Sequence, residues 1–391
     1  MIIRPMRKNE KHKRDMLFSV CFGSRPDISQ SEKEELDFTY EYYIGAFTDD
    51  NETLMAQVAV VPYKSYYHGN ILTAAGIAGV STLPEYRRNG CIREIFKHIF
   101  DGENRNEWDT SFLYPFSYRY YRKFGFERLL QHKTVCVPLS SLSHIPRNDK
   151  GVLYTCEDRL GQLLELYNSF ASSYNVCFHR ENGRYYSSTP FKTGLYTYIW
   201  YEDNKPRAYA TIKPEGNKLN ISELVYVDKA SLLGIIGFLR MYEGQYTELY
   251  FSSLDKNNPL DLVTDSDRSS SFGMYDGVMG RPVNIEKCLM LYPFSKDADE
   301  LVIEVTGDFI EANNGCYYIE YKDEKSKRVV VTRREKAKPD ITLSVNSLSR
   351  LMFGDCAQES LAYLPDVTLH SQKCRLDSIF TPRAINLFER F

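Results

Sequence analysis

The 391 residues hold no Cys-x-x-Cys pair, no His-Glu-x-x-His spacing, no Walker phosphate loop, no Gly-x-Ser-x-Gly elbow and no dinucleotide-binding glycine fingerprint. Zinc ribbons, zincin peptidases, P-loop NTPases, α/β-hydrolases and Rossmann oxidoreductases thereby lose the sequence evidence each would rest on. The nine cysteines are odd in number and scattered. They read as reduced thiols, not as a disulfide framework, and no metal site is expected. An excess of one charge is also missing: 49 Lys and Arg face 52 Asp and Glu, for a net charge of −3. No global field draws in nucleic acid, and the mild acidity is compatible with a cationic substrate. The opening Met1-Ile2-Ile3-Arg4-Pro5-Met6 runs into a charged stretch from Arg7 to Asp15. With neither a signal-peptide apolar core nor a spanning segment there, a cytoplasmic protein that does not engage membranes is expected.

What is present describes a folded chain. Hydrophobic residues at 43% and charged residues at 26% are those of a soluble globular protein, and the length calls for more than one core. Three units are expected: residues 1–147, 148–294 and 295–391. The polar run from His144 to Lys150 separates the first two, and a composition shift around Tyr292-Pro293-Phe294 separates the last. The first two blocks share a coarse order of strand, strand, strand, helix, strand. The third alternates short strands with a helix, among them Leu301 to Val305 and Ile341 to Val345. The fold class is α+β with mixed sheets.

One segment changes its period in the middle. From Ala74 to Leu83 it reads as a small-residue strand whose Gly76 and Gly79 allow a bulge or a close approach. After Gly90, the apolar residues Ile92, Ile95, Phe96, Ile99 and Phe100 recur at helical spacing. Between them lies Pro84-Glu85-Tyr86-Arg87-Arg88-Asn89-Gly90. An Arg- and Gly-rich turn that opens a helix suits a pyrophosphate, because the first helical turn offers unpaired N–H groups and the positive end of the dipole. Gly90 lets phosphates approach, and Arg87 and Arg88 add charge.

This strand, turn and helix resemble the core motif of the GNAT acetyltransferases, with the first spacing compressed to Leu83-Pro84-Glu85-Tyr86-Arg87. Downstream, Tyr118-Arg119-Tyr120-Tyr121-Arg122-Lys123-Phe124-Gly125-Phe126 is similar to that family's Tyr-x-x-Phe-Gly-Phe segment. The resemblance implies acetyl-coenzyme A as co-substrate. Val80 and Thr82 would contact the pantetheine through their main chains, and Arg87, Arg88, Gly90, Cys91 and Ile92 would hold the pyrophosphate. The Cys91 side chain would be incidental, and Tyr121 would be the general acid.

The whole layout resembles the enhanced intracellular survival (Eis) acetyltransferases: an active GNAT domain, a degenerate GNAT domain and a sterol-carrier-like domain. That likeness implies two tandem GNAT-like acyltransferase domains plus a small α+β domain, and an assembly into a homo-oligomer, with a hexamer as the candidate. In the second block Asp228-Lys229-Ala230-Ser231 replaces the Arg-x-x-Gly turn, so that block is expected to bind no coenzyme. The terminal carboxylate of Phe391 is expected to reach the active site, to hold the substrate ammonium and to accept its proton. Asp27, Glu32, Glu35 and Glu389 are the candidate acids for gathering a cationic acceptor of aminoglycoside, polyamine or lysine type, whether small molecule, peptide or protein. Arg390 departs from the pattern, since an acid would be expected there. Two other readings remain open at this level: a noncatalytic lipid- or protein-binding scaffold, and another tandem-GNAT acyltransferase.

Overall fold

The computed structural model describes residues 1–23, 42–101, 107–155, 159–187, 190–264, 270–294, 300–323, 328–334, 337–354, 363–371, 380 and 382–391. The first sheet is built mainly from β1 (Ile2–Pro5), β2 (Tyr42–Phe47), β3 (Leu54–Tyr67), β4 (Asn70–Thr82), β5 (Thr110–Leu113) and β6 (Glu127–Arg128). Helices α1 (Lys11–Phe22), α2 (Cys91–Phe100) and α3 (Tyr118–Arg122) connect them. The second sheet takes β7 (Gln131–Pro138), β8 (Gly151–Leu153), β9 (Tyr196–Glu202), β10 (Lys205–Glu215), β11 (Lys218–Tyr226), β12 (Glu248–Leu254) and β13 (Ser271–Asp276), with α4 (Leu160–Ala171) and α5 (Lys229–Leu239). Among the described residues no helix is long and apolar enough to cross a membrane.

The two sheets follow one plan. The first runs β1-β2-β3-β4-β5-β14-β6, where β14 is Met279–Pro282, and the second, read in the same direction, runs β8-β9-β10-β11-β12-β7-β13. In each, a three-strand antiparallel meander meets a parallel neighbour, β4 on β5 and β11 on β12. Each sheet also borrows its sixth strand. β7 lies early in the chain yet pairs with β12, and β14 lies late yet pairs with β5 and β6. The exchange fastens the halves, because neither sheet is complete without backbone from the other.

Sequence periodicity explains the first core. On α2, Ile92, Ile95, Phe96, Ile99 and Phe100 are all buried, packed with Ala46, Val58, Val60, Ala75 and Ile77 of the sheet. Side chains of this size contribute roughly 1.5–3 kcal/mol each when fully buried. Helix α1, by contrast, covers the opposite face through Leu17 and Phe18.

The third domain is a five-stranded sheet, ordered β17 (Arg328–Arg334), β16 (Gly315–Asp323), β15 (Glu300–Thr306), β18 (Ile341–Ser344) and β19 (Val367–Leu369). It carries α7 (Val345–Phe353), and α6 (Ile285–Leu291) leads into it from β14. One apolar cluster unites all three parts, with Phe112, Val176, Ile303, Leu348 and Leu387 in a single core. Polar bonds add to it. Arg281 of β14 is fully buried and donates from Nη2 to Asp308 (2.6 Å), from Nη1 to the carbonyl of Phe124 (2.6 Å) and from Nε to the carbonyl of Pro282 (3.1 Å).

Asp308→Ala strands this guanidinium without its counter-charge. Breaking a buried pair on one side costs about 3–5 kcal/mol, so urea denaturation should show a loss of that size. A loss below about 1 kcal/mol, the scale of a surface pair, would show that the pair does not hold the third domain to the first.

Candidate active site

The chemistry-bearing residues gather where β4 and β5 part. Their parallel ladder runs from Ala74 opposite Thr110 to Ile77 opposite Leu113 and stops, while β4 continues to Thr82. Just past that point the register with β3 shifts, so that Gly79 and Val80 together oppose Val58. Gly79 makes this bulge possible with φ +55°, and the Ser81 hydroxyl donates to its carbonyl at 3.0 Å. A Cβ at Gly79 would lie 2.7 Å from the Phe18 ring, so the bulge also needs glycine for the packing of α1. Val80 and Thr82 therefore stand half-buried on a strand edge that β5 has left, where the Thr82 carbonyl accepts from Arg87 Nε and Cys21 Sγ, each at 3.4 Å.

The turn beyond them is shaped for an anion. Pro84–Tyr86 forms a single 3-10 turn, then Arg88 (φ +68°) and Gly90 (φ +79°) both adopt the left-handed conformation. Gly90 is the N-cap of α2, with no cap from any side chain, and a Cβ there would meet nothing within 4 Å. The first N–H groups of α2 have no intrahelical acceptors. Arg87 and Arg88 are exposed beside them, while Cys91 and Ile92 point their side chains into the core. The Cys91 thiol is buried against the carbonyl of Tyr86 (3.9 Å), and burial pushes its pKa up, so it is not a poised nucleophile.

The corresponding junction in the second sheet is closed. There the N-cap of α5 is Asp228, whose carboxylate accepts from Ser231 N–H at 2.8 Å in a capping box and pairs with Arg207. An acid occupies the place where the first sheet offers Gly90 and two arginines. A phosphate would meet like charge.

Alternation along β4 and β5 puts the remaining candidates on opposite faces. Ala75, Ile77 and Leu113 share the core beneath α2, and Tyr121 belongs to that core, edge-on to Phe116 (5.4 Å) and Phe126 (6.3 Å). Burial, and secondarily Tyr120, raise its pKa, so the phenol keeps its proton throughout the ordinary pH range. Gly76 faces the other side. A Cβ there would lie 2.7 Å from Tyr63 and 3.2 Å from the ring of Phe391. The Phe391 ring sits among Tyr63 (5.3 Å), Tyr114 (5.7 Å) and Phe178 (5.8 Å). Thus Tyr121 and the chain terminus approach the parting strands from opposite sides.

The terminus is held there by residues that sequence reading missed. Asn175 N–H donates to the carbonyl of Ala384 (2.8 Å), and Asn386 N–H returns to the carbonyl of Asn175 (3.3 Å). Tyr114 hydroxyl donates to the carbonyl of Glu389 (2.9 Å). Glu389 itself is buried, its Oε1 bound by Arg180 Nε at 2.7 Å. Arg180 also binds both oxygens of Glu223, at 2.7 and 3.2 Å, and stacks on Tyr167 at 3.7 Å. Glu389 Oε2 has no partner among the described residues. In this position the Glu389 side chain anchors the tail. Nothing in the sequence spacing links Arg180 to it, since 209 positions separate them.

Asp27, Glu32 and Glu35 lie outside the described residues. A further polar side chain on the terminus face was also missed: Gln57, fully buried opposite Ser81, with neither amide atom bonded among the described residues. Among the described residues no cluster of His, Cys, Asp or Glu could hold a metal ion.

A mixed sheet whose two parallel strands part in front of an uncapped helix terminus is followed here by a second sheet of the same strand order. Residues 2–129 match the acetyltransferase (GNAT) domain and residues 285–386 the sterol carrier protein domain, so the chain carries a GNAT acetyltransferase domain and a C-terminal sterol carrier protein domain. No curated protein matches the chain. Among solved structures it is similar in fold to a conserved protein of unknown function from Enterococcus faecalis, described as a probable N-acyltransferase, at 22% identity and TM-score 0.83, covering 100% of this chain and 99% of that one. A GCN5-related N-acetyltransferase from Anabaena variabilis (19% identity, TM-score 0.78) and Eis1 from Mycobacterium abscessus (16%, TM-score 0.78) each match over 100% of both chains.

The tail anchor carries a pH signature. Burial pushes the Glu389 carboxyl above the usual carboxylate range, against the opposing pull of Arg180. A carboxyl with a raised folded-state pKa holds its proton more tightly in the folded chain. Its contribution to stability is therefore fullest at low pH and declines as pH climbs from the unfolded value, about 4.3, through the raised one. Glu389→Gln should remove this decline. Paired urea titrations should show the stability of the parent chain relative to the variant falling with rising pH over that interval; a difference independent of pH would contradict the raised value.

Proposed function

We propose that the protein is an acetyl-coenzyme A-dependent N-acetyltransferase that acylates an amine of a cationic acceptor, of aminoglycoside, polyamine or lysine type, by direct transfer. The observation that supports this reading is the parting of β4 and β5 in front of the uncapped start of α2, with Tyr121 in the core on one face and the Phe391 ring against Gly76 on the other. Acetyl-coenzyme A is the acyl donor and supplies the thioester. The open cradle at Gly90 and the unpaired edge of β4 fit its diphosphate and its pantetheine arm, respectively. In this reading Arg87, Arg88 and the N–H groups of Gly90, Cys91 and Ile92 take the diphosphate, and the main chains of Val80 and Thr82 take the amide arm.

The residues then divide the proton work. The Phe391 carboxylate holds the incoming ammonium. A carboxylate with a pKa near 3.5 cannot strip an ammonium near 10 outright, so the species that attacks is the neutral amine, formed as the ammonium loses its first proton to water. Attack on the carbonyl makes the nitrogen far more acidic, and the carboxylate accepts its second proton then, directly or through water. As the N–C bond forms and the C–S bond breaks, Tyr121 gives its proton to the departing sulfur, and the proton taken up by the carboxylate passes through water to restore the phenol. Because Glu389 is committed to Arg180, its side chain serves the acceptor only by fixing where the tail ends.

Free-thiol release from acetyl-coenzyme A, measured on purified protein against a panel of amines, tests the reaction. Folded protein that releases no thiol with any amine overturns it. Gly90→Asp places a negative side chain in the cradle and should weaken acetyl-coenzyme A binding at least tenfold by calorimetry, a loss of about 1.4 kcal/mol. Unchanged affinity in a folded variant would remove the diphosphate site from the turn.

The proton roles can be tested separately. Tyr121→Phe should keep acetyl-coenzyme A affinity and slow turnover by about 100- to 10,000-fold, the usual range for general acid–base catalysis. Adding a residue after Phe391, or deleting Phe391, moves the carboxylate by up to roughly 3.5 Å, and misplacement by about 1 Å can cost about 100-fold. Turnover should collapse in either form and survive an N-terminal tag. Equal rates for the two tagged forms, at matched melting temperature and acetyl-coenzyme A affinity, would exclude the terminus from the chemistry.

A further inference from the structure

We propose that the C-terminal sterol carrier protein domain sets the position of the proton donor, with Asn346 of α7 acting as a positioning residue for Tyr121. This rests on the reading of Tyr121 as the proton donor. Helix α3 spans only five residues, too few to hold their own geometry in isolation. Tyr121 is its fourth residue, so the direction of the phenol depends on what fixes the chain that follows.

That chain is gripped from the third domain through two of its carbonyls. Asn346 Nδ2 donates to the carbonyls of Phe126 (2.9 Å) and Arg122 (3.3 Å). The carbonyl of Phe124 is taken by Arg281, which is itself bound to Asp308 of the third domain. Phe309, also from the third domain, packs edge-on against Phe124 at 5.7 Å. Beside the phenol, Arg122 makes a two-pronged bond to buried Glu127 (2.7 and 2.8 Å), and Arg350 of α7 approaches the same carboxylate at 3.8 Å.

A domain that served only as a cover would pack through apolar side chains and need no such pattern. Here directional donors converge on the carbonyls of Arg122, Phe124 and Phe126, in the segment immediately after Tyr121. Hydrogen bonds of this kind fix backbone position to a few tenths of an ångström, the tolerance within which a proton donor must sit. The domain thereby contributes to catalysis through the main chain of its neighbour.

The experiment is a double-mutant cycle on the full chain. Asn346→Asp keeps the shape of the side chain but removes the amide donor, and Asn346→Ala removes the grip altogether. Each should lower kcat roughly tenfold, consistent with a sub-ångström displacement of a catalytic group, while KM for acetyl-coenzyme A and the melting temperature stay near the parent values. In a Tyr121→Phe background the same substitutions should change kcat by less than about twofold, because no proton donor remains to be misplaced. Equal fold-losses in both backgrounds, or no loss in the parent, overturn the positioning role. If Tyr121→Phe alone leaves turnover unchanged, it is the donor assignment that fails, and the inference falls with it.

Discussion

Two parallel strands that stop pairing at Ile77 and Leu113 impose the organisation of the whole molecule. A strand edge whose N–H and C=O groups have lost their neighbour is costly if buried and sticky if exposed, so a protein keeps one only where something else completes it. Around this edge the bulge at Gly79 turns β4, the Arg-rich turn opens α2, and two separate segments bring Tyr121 and Phe391 to the two faces. The gap is the one feature that all of these elements share.

The second sheet shows what the gap requires by keeping the plan and losing the chemistry. It has the same strand order and the same parallel pair, yet its helix begins on an aspartate that consumes the local N–H donor. A capping acid in place of glycine gains only roughly a few tenths of a kcal/mol of helix stability and sets a negative charge where an anion would approach. The fold is equally content with either. The two sheets differ in the occupant of a single helix terminus, and the second half contributes Arg180 and Asn175, which hold the segment from Ala384 to Glu389.

Both long-range tethers are buried arginines. Arg180 collects Glu223 and Glu389, and Arg281 collects Asp308 and two carbonyls. Such pairs add little net stability over apolar packing, since desolvation offsets most of the attraction. What they provide is a defined geometry between parts of the chain that apolar contact alone would let slide. It is telling that one tether ends on the carboxyl-terminal tail and the other on the segment after Tyr121, the two places where the proposed chemistry tolerates the least movement.

Much of this was legible in the sequence, and for local reasons. The switch from a small-residue strand to helical spacing at Gly90, the Phe-Gly-Phe stretch after Tyr121, and the loss of the Arg-x-x-Gly turn at Asp228 to Ser231 are all encoded within a few residues, because propensity and periodicity act over one or two turns. The terminal phenylalanine stood out only through resemblance. The exchange of β7 and β14, the burial of Glu389 on Arg180 and the grip of Asn346 on Phe126 could not be read, since each joins residues a hundred or more positions apart. Pairings at that separation are selected by which surfaces meet after collapse, and spacing along the chain carries no record of them. Sequence alone determined which residues could do chemistry; the tertiary structure decided which of them meet, because only packing brings opposite faces of one sheet and the far end of the chain to a common point.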